Sequence, residues 1–276
     1  MPDLLKAAIL GIVQGLTEFL PVSSTGHLIL LEKALDVSQE KLGLAFDASI
    51  HLGTLLAVIV YFRVDIWRLF RALLQSAGAR RFDVSDDSRL AWLILLGTMP
   101  AAVLGVLFES AIEDKLRDPV FVATALIAFS GVLVAAERLG RRQLQATQLG
   151  PLSALFVGLA QALALIPGVS RSGITISAGM FAQLERQQAA VFAFLLSGPI
   201  IAGAGTKAVI DTLRRANEGV LGREDLKFFA VGFVLAAITG YATIHFLLAY
   251  LRRHTLYLFV VYRIAFGIAV LIVALA

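Results

Sequence analysis

Two short stretches of the chain interrupt apolar sequence with side chains of the kinds that bind anions and move protons. The first is QGLTEFLPVSSTGH, residues 14–27, in which Gln14 and Glu18 are four positions apart and therefore share one face of a helix. After the proline come three hydroxyl residues and a histidine: Ser23, Ser24, Thr25 and His27. Hydroxyl residues cap helix N-termini, and free backbone amides there bind anions. The stretch therefore predicts the end of one helix and, directly behind it, an anion-binding start of another.

The second stretch, GLAQALALIPGVSRSGIT at residues 158–175, has the same design with an arginine in its middle. Pro167 and Gly168 are expected to end one helix, because proline disrupts a helix interior. The residues expected to open the next helix are Ser170, Arg171, Ser172 and Thr175. Arginine binds phosphate oxygens in a planar, bidentate manner. If the two stretches converge, they form a site for an anion, most naturally phosphate or diphosphate.

The composition places both stretches in a membrane protein. Of the 276 residues, 58% are hydrophobic and 16% charged, and the mean hydropathy is +0.83, whereas soluble domains carry about 25% charged residues. Five windows near the roughly 20 residues that a span needs lack Asp, Glu, Lys and Arg: 90–108, 119–136, 144–170, 187–206 and 228–251. The predicted class is an all-α integral membrane protein. The net charge of +4 is attributed to loop residues rather than to nucleic-acid binding, and the absence of cysteine excludes disulfides and zinc–thiolate sites.

Six transmembrane helices and two pairs of half-helices are expected to position the two stretches. The spans are predicted near 44–62, 90–109, 119–137, 187–206, 227–251 and 256–276. The half-helices are predicted near 2–18 and 23–35 around the first break, and near 151–166 and 170–183 around the second. Each half-helix is too short to cross a bilayer alone. We therefore interpret each pair as a re-entrant helix pair.

An internal repeat predicts how these elements are arranged. A shift of 147 residues aligns the two stretches with these identities: Gly11 with Gly158, Gln14 with Gln161, Ser23 with Ser170 and Gly26 with Gly173. A weaker match at a shift of 135 pairs Gly97 with Gly232. We expect one membrane domain, 1–276, with repeat halves 1–140 and 141–276. Because each half has an odd number of spans, the second half would enter from the opposite side and form an inverted-topology repeat, whose breaks meet near the midplane.

Glu18 needs a partner in such a site, since a carboxylate repels a phosphate. One solution is a divalent cation between them. Magnesium suits this role because it binds one or two carboxylates together with phosphate oxygens and waters, calcium is also compatible, and Gln14 would supply a further oxygen ligand. The other solution makes Glu18 a general base. Either role points to chemistry rather than to binding alone.

These residues carry a resemblance to a known family. QGLTEFLPVSSTGH resembles the Glu/Gln-x-x-x-Glu motif of the bacterial undecaprenyl-diphosphate phosphatases, the bacitracin-resistance (BacA) family, and PGVSRSGIT resembles that family's Pro-Gly-x-Ser-Arg-Ser-x-x-Thr signature. Length, span pattern and repeat agree with the family over the whole chain. The resemblance implies hydrolysis of undecaprenyl diphosphate to the monophosphate lipid carrier of cell-wall synthesis, with a divalent cation, in the bacterial cell membrane. The family pattern allows glutamine at its first acidic position, which is Gln14 here.

The residues expected to carry out this reaction are Glu18, Ser24, His27 and Arg171. Arg171 and the two helix N-termini are expected to hold the diphosphate, and a structural pair with Glu18 is the alternative role for Arg171. Ser24 attacks the terminal phosphorus or aligns a water. Glu18 or His27 manages the proton, and His27 otherwise stabilises charge or caps its neighbours. The expected substrate-binding residues, for which capping is the alternative role, are Ser23, Thr25, Ser170, Ser172 and Thr175. The prenyl tail of the lipid is expected in a groove between spans, lined by Leu, Val and Phe.

Two other functional classes share parts of this pattern, and a few polar residues lie outside the two motifs. A secondary transporter or lipid flippase is the alternative, because inverted repeats with broken helices are a transporter architecture. The vanadium-haloperoxidase-like lipid phosphatases are excluded, since they need a histidine several residues beyond the arginine and residues 172–190 contain none. A homodimer is left open. His51 and Asp47 carry a weaker signal, and Arg263 in the last span is expected to snorkel to the interface.

The connections between spans predict an orientation. Residues 63–90, 138–150, 184–188 and 252–255 share one face and carry twelve Lys and Arg, against ten on the opposite face. The positive-inside rule makes the first face cytoplasmic and places both termini outside. The family resemblance favours a site that opens to the outer face.

Overall fold

The computed structural model describes residues 3–37, 44–115, 118–217 and 222–275, and these fold almost entirely into α-helices. In chain order the helices are α1 (Asp3–Phe19), α2 (Ser24–Ala34), α3 (Leu44–Tyr61), α4 (Arg63–Ala79), α5 (Asp86–Lys115), α6 (Pro119–Leu139), α7 (Pro151–Ala162), α8 (Arg171–Phe181), α9 (Arg186–Asn217), α10 (Arg223–Leu251) and α11 (Tyr257–Leu275). Short 3-10 turns lie at Ala146–Gln148 and Leu163–Leu165. The predicted all-α class is confirmed.

The number of long apolar helices agrees with a protein that crosses the membrane several times. Within the described residues, α5, α6, α9, α10 and α11 each contain a segment long and apolar enough to span a bilayer, and the bent pair α3–α4 brings the total to six. The helices around the two breaks are shorter, with 17, 11, 12 and 11 residues in α1, α2, α7 and α8. These are the lengths expected of half-helices, and their arrangement as re-entrant pairs stays a prediction.

Helix α4 was not predicted from the sequence. It follows α3 after one residue, and the two helices are inclined at 78°. Its charged residues, among them Arg63, Asp65 and Arg68, kept it out of the apolar windows. The helix nevertheless buries one face against the core, and the hydroxyl of Ser76 accepts a hydrogen bond of 2.7 Å from the indole of Trp92 on α5. The connection assigned to 63–90 is therefore helical over most of its length.

Glycine contacts anchor the helices that lead into the breaks. A Cβ atom on Gly11 of α1 would overlap the carbonyl of Gly232 on α10, and a Cβ atom on Gly158 of α7 would overlap the carbonyl of Gly97 on α5. Small residues allow such close backbone contact between membrane helices. The helices α1 and α7, which lead into the breaks, are thus packed closely against long spans.

At both breaks a serine adopts a backbone conformation that is unusual for any residue except glycine. Ser23, just before α2, has φ 71° and ψ 94°, and Ser170, just before α8, has φ 76° and ψ 110°. Such conformations cost about 1–3 kcal/mol each and persist only where the surroundings hold them. They allow the chain to reverse within a few residues, so that the N-terminus of α2 lies beside the end of α1.

A buried carboxylate ties several helix ends together away from the breaks. Glu137, near the end of α6, has a side chain that is 1% exposed. It accepts hydrogen bonds from the guanidinium groups of Arg142 at 2.9 Å and Arg186 at 2.7 Å, and from the backbone N–H of Leu256 at 2.8 Å. These contacts, which we call the Glu137 cluster, join the end of α6 to the starts of α9 and α11. They also bring the connections around 140, 186 and 255 close to one another.

Candidate active site

The two breaks meet at the carboxylate of Glu18, in the last turn of α1. Its Oε2 atom accepts hydrogen bonds from the Ser24 hydroxyl at 2.7 Å and from the Gln14 side-chain amide at 3.1 Å. Its Oε1 atom lies 3.4 Å from Nη1 of Arg171, at the start of α8. The structure therefore brings together four predicted site residues from two distant parts of the chain. The Glu18 side chain is 6% exposed and that of Arg171 is 29% exposed, so the arginine is the more accessible partner of the two.

A small polar pocket of about 30 Å³ surrounds this contact. Its lining consists of Glu18, Ser23, Ser24, Thr25, His51, Ala164, Ile166, Gly168, Ser170 and Arg171. A buried water needs about 10–15 Å³, so in this state the pocket has room for about two waters. Arg171 and Glu18 both line this pocket and are in contact with each other.

His51 of α3 lines this pocket, although its sequence context carries only a weak functional signal. Its Nδ1 atom lies 2.7 Å from the backbone carbonyl of Asp47, which can only accept, so Nδ1 carries the proton. Its Nε2 atom then faces Glu18 Oε2 at 3.7 Å. The signal in the sequence was a lone histidine one turn after Asp47 in an apolar span. Only the packing of α3 beside α1 reveals that this histidine reaches the site.

His27 lies beside the site rather than in its pocket. Its Nδ1 atom is 2.8 Å from the carbonyl of Ser23, so this nitrogen donates, and its Nε2 atom accepts from the hydroxyl of Tyr262 at 2.7 Å. The ring also stacks on Phe266 of α11, with the ring centroids 4.1 Å apart. Both ring nitrogens are therefore occupied. This geometry favours the capping role, in which His27 holds the backbone of Ser23, over proton transfer, and the catalytic role stays a prediction.

The hydroxyl groups of the second break are engaged within the protein. Ser170 Oγ accepts from the backbone N–H of Gly173 and so caps α8. Ser172 donates to the carbonyl of Leu20 at 2.8 Å, which links the second break to the first, and Thr175 donates to the carbonyl of Arg171 at 2.6 Å. Ser172 and Thr175 lie outside the lining of the polar pocket and border a smaller cavity of about 10 Å³. Their contact with substrate stays a prediction.

Arg263 does not reach the interface, and the expectation that it snorkels is wrong. The residue is 0% exposed. Its guanidinium donates to backbone carbonyls of both breaks, at Pro21 and at Gly168 and Val169. These carbonyls have no partner in a regular helix, so they satisfy the cation where it lies, and extension to the membrane surface is unnecessary.

A divalent cation at Glu18 would need oxygen ligands in addition to this carboxylate. Within the described residues, no group of three or more His, Cys, Asp or Glu could hold a metal ion. The site does offer the Glu18 carboxylate and Oε1 of Gln14, which is buried without a hydrogen-bond partner. Magnesium binds proteins through one or two carboxylates and takes its other ligands from water and substrate phosphates. The carboxylate and the amide oxygen are ligands of these types, but the Gln14 amide directs its N–H toward Glu18, so joint binding of a cation requires the amide to turn.

Comparison with known proteins agrees with the motifs and the helix pattern. The family model described as "Bacitracin resistance protein BacA" matches residues 7–269. The chain is 47% identical to the undecaprenyl-diphosphatase of Rubrobacter xylanophilus, with 100% of this chain and 99% of the relative covered. It is 44% identical to the undecaprenyl-diphosphatase of Chlorobium phaeobacteroides, with 97% and 96% covered, and 45% identical to undecaprenyl-diphosphatase 2 of Stutzerimonas stutzeri, with 98% of each covered. The chain therefore belongs to the bacitracin resistance protein BacA family.

Proposed function

We propose that this protein is a membrane-embedded hydrolase that converts undecaprenyl diphosphate to undecaprenyl phosphate and inorganic phosphate. The observation that carries the proposal is the meeting of Ser24 and Arg171, from two separate breaks, on the carboxylate of Glu18. Relatives named undecaprenyl-diphosphatase over nearly their full length support the same activity and favour it over the transporter alternative. The test is release of phosphate from synthetic undecaprenyl diphosphate by purified protein in detergent. A purified, folded protein that releases no phosphate would contradict the proposal.

The starts of α2 and α8 supply the anion-binding part of the mechanism. Both helix N-termini present backbone amides, and their positive dipole ends favour a negatively charged group. Arg171 adds a planar guanidinium that is already at the pocket. When the diphosphate enters, Arg171 leaves Glu18 and binds phosphate oxygens, which frees the carboxylate for chemistry.

Ser24 is the proposed nucleophile. Its hydroxyl donates to Glu18 at 2.7 Å, within the range for a general base and the group it deprotonates. In the first step Ser24 Oγ bonds to the terminal phosphorus, the bond from that phosphorus to the bridging oxygen breaks, and the serine proton passes to Glu18. Undecaprenyl phosphate leaves, and water then releases inorganic phosphate from Ser24. The alternative, in which Ser24 aligns a water that attacks directly, uses the same contact and is separated by experiment below.

Gln14 and Glu18 are the residues proposed to hold a divalent cation, most naturally magnesium. Such an ion would neutralise charge on the phosphate oxygens beside Glu18. Gln14 fixes the carboxylate through its amide N–H and keeps its own oxygen free.

An apolar groove next to the site is proposed to hold the prenyl chain. The groove has a volume of about 330 Å³ between α3, α4, α5 and α9. Its lining includes Leu55, Val58, Ile66, Phe70, Ile94, Leu195 and Gly198, and it contains almost no polar surface. Leu55 lies one helical turn after His51, about 6 Å along α3, and on α9 Gly198 follows Ser197, which borders the smaller cavity beside Glu18. The polar headgroup site and the apolar groove are thus adjacent on two helices.

Chain-length dependence tests the groove. A Cβ atom on Gly198 would meet nothing within 4 Å, so Gly198→Leu fills the groove without a clash in the core. We expect KM for undecaprenyl diphosphate to rise by about tenfold, roughly 1.4 kcal/mol, and KM for farnesyl diphosphate to change by less than about twofold. Gly203→Leu is the matched control, since Gly203 lies on the same helix in equally open space but outside the groove. Equal effects of the two substitutions would place the prenyl chain elsewhere.

An inverted-topology repeat is proposed for the two halves, 1–140 and 141–276. Several matched features support it. Ser23 and Ser170 share an unusual backbone conformation, and the glycine contacts of α1 with α10 and of α7 with α5 use pairs that the two sequence shifts relate. In such architectures the broken helices of both halves build one site, as the contacts at Glu18 would require.

The protein is a multi-pass membrane protein of a bacterial family, and its orientation is a proposal. We place the face with residues 63–90 in the cytoplasm and the pocket open to the outer face. The orientation can be tested by labelling single cysteines on the two faces. Ser76 is unsuitable because it is buried against Trp92, so the cysteines are placed at the exposed positions Ala79 and Glu224. In intact cells an impermeant maleimide should label Glu224→Cys and not Ala79→Cys. The reverse labelling pattern would overturn the orientation.

A further inference from the structure

Arg263 of α11 is a fully buried arginine in an apolar span, and the described residues around it offer carbonyl and hydroxyl oxygens as partners. Its Nε atom donates to Ser130 Oγ at 3.0 Å and to the carbonyl of Leu126 at 3.2 Å. Its Nη1 atom donates to the carbonyl of Pro21 at 3.2 Å. Its Nη2 atom donates to the carbonyls of Leu126 at 2.9 Å, and of Gly168 and Val169 at 3.2 Å each. One side chain therefore touches the first break, the second break and α6.

The carbonyls that Arg263 holds flank the two strained serines. Val169 directly precedes Ser170, and Pro21 lies two residues before Ser23. Both serines have positive φ angles of 71° and 76°, a conformation that persists only when its surroundings impose it. Within a trans peptide the N–H points away from the C=O, so a guanidinium that fixes the carbonyl of Val169 also fixes the direction of the Ser170 amide at the polar pocket.

We infer that Arg263 is a positioning residue for the diphosphatase reaction. It holds the backbone of both breaks in one relative placement, so that Ser24 and Arg171 meet on Glu18. This inference rests on the proposed function, since the reacting groups are those of that mechanism. Arg263 itself has no surface in the pocket and is absent from its lining, so it acts through the backbone and does not touch the substrate.

The guanidinium is suited to this task and an ammonium is not. The planar group presents five N–H donors in a fixed fork, and here they serve acceptors in several directions, whereas lysine has three donors at one point. The conservative replacement Arg263→Lys keeps the charge but cannot reach the carbonyls of both breaks at once. This variant therefore distinguishes the effect of holding the two breaks in place from the effect of a buried positive charge alone.

Kinetics provide the first test. For Arg263→Lys and Arg263→Gln we expect kcat to fall about 100-fold, the size of effect that a displacement of about 1 Å at reacting groups produces, with KM changed by less than about threefold. Ser130→Ala is the matched control, because it removes one hydrogen bond of Arg263 and none of its contacts with the breaks. It should keep kcat within about threefold of native. Unchanged kcat per folded molecule in both Arg263 variants, with only a lower melting temperature, would reduce Arg263 to a structural role and overturn the inference.

Disulfide cross-linking between the breaks provides a second test. It does not depend on enzyme activity, and it can be applied to a variant of reduced stability. A Cβ atom on Gly173 would lie 3.4 Å from Cβ of Pro21, close to the roughly 3.5–4.5 Å of a disulfide, and the chain has no cysteine of its own. In membranes, Pro21→Cys/Gly173→Cys should cross-link readily on mild oxidation, and adding Arg263→Lys should slow this reaction by about fivefold or more. Equal rates with Arg263 and with lysine, or no cross-link in the reference pair, would contradict the inference. If the native protein releases no phosphate, the proposed function is wrong, but the cross-linking rates still show whether Arg263 holds the two breaks together.

Discussion

Replacement of Arg171 separates the contribution of this residue to catalysis from its contribution to stability. The guanidinium lies 3.4 Å from the Glu18 carboxylate, longer than the roughly 2.7–2.9 Å of a strong charge-assisted hydrogen bond, and its side chain is 29% exposed. Glu18 keeps its bonds from Ser24 and Gln14 when Arg171 is removed. Arg171→Ala should therefore lower the free energy of unfolding by about 1 kcal/mol or less, as for partly exposed ion pairs.

The effect on catalysis should be much larger. In the proposed transition state Arg171 faces a phosphoryl group in a site with little water, and loss of one such donor costs about 3–4 kcal/mol, or roughly 10²–10³-fold in kcat. Arg171→Lys should recover less than about tenfold of this loss, because a single ammonium cannot form the two parallel bonds of the planar fork. We therefore expect Arg171→Ala and Arg171→Lys to keep a nearly native fold and to have almost no turnover.

The assay is phosphate release from undecaprenyl diphosphate in detergent, with thermal unfolding of the same samples. Arg252→Ala is the control, since Arg252 is an exposed arginine whose guanidinium, among the described residues, donates to the Gln187 side chain at 3.3 Å, and it should keep native turnover. An alanine variant at position 171 that retains more than about a tenth of native kcat would refute the assignment. So would a loss of activity that merely follows unfolding at the assay temperature.

Three further substitutions test the other parts of the site. Ser24→Ala should lose nearly all turnover, and quenched reactions of the native protein should contain phosphoserine; a variant that retains a tenth or more would make water the nucleophile. Glu18→Gln should lower activity strongly and weaken its dependence on magnesium, whereas full activity of the native enzyme after exhaustive chelation would leave only the base role. Tyr262→Phe removes the donor to His27 and should lower kcat about fivefold, near 1 kcal/mol. Tyr241→Phe, at an exposed tyrosine outside the pocket lining, serves as the control, and equal effects of the two substitutions would argue against a role of His27 in holding Ser23 for the reaction.

The sequence predicted the parts of the fold that depend on local patterns. Apolar windows identified the long spans, and the prolines with their following hydroxyls located the breaks between α1 and α2 and between α7 and α8. The same pattern missed α4, because arginines interrupt its apolar residues and only tertiary packing reveals which face is buried. Boundaries of helices depend on such packing as much as on composition.

For the site, the sequence predicted residues whose chemistry lies in the two motifs and failed for residues that arrive from other helices. Glu18, Ser24 and Arg171 lie in contact with one another, and their roles in catalysis stay predictions. His51 has no motif around it and reaches Glu18 only because α3 packs beside α1. The prediction that Arg263 snorkels to the interface was wrong. Its position near a helix end favours snorkelling, but its partners are backbone carbonyls, which no sequence pattern identifies.

The Glu137 cluster bears on whether such a molecule could carry a lipid across the bilayer. A carrier must expose its site alternately to each side, so the helix ends on both faces have to separate in turn. Here the ends of α6, α9 and α11 are joined on one face by a carboxylate that is almost completely buried and bound by two arginines and a backbone amide. Opening of that face would have to break all of these hydrogen bonds to one carboxylate at once, so the cluster opposes it. A hydrolase needs access from one side only, and in the proposed orientation the cluster would keep the opposite face closed.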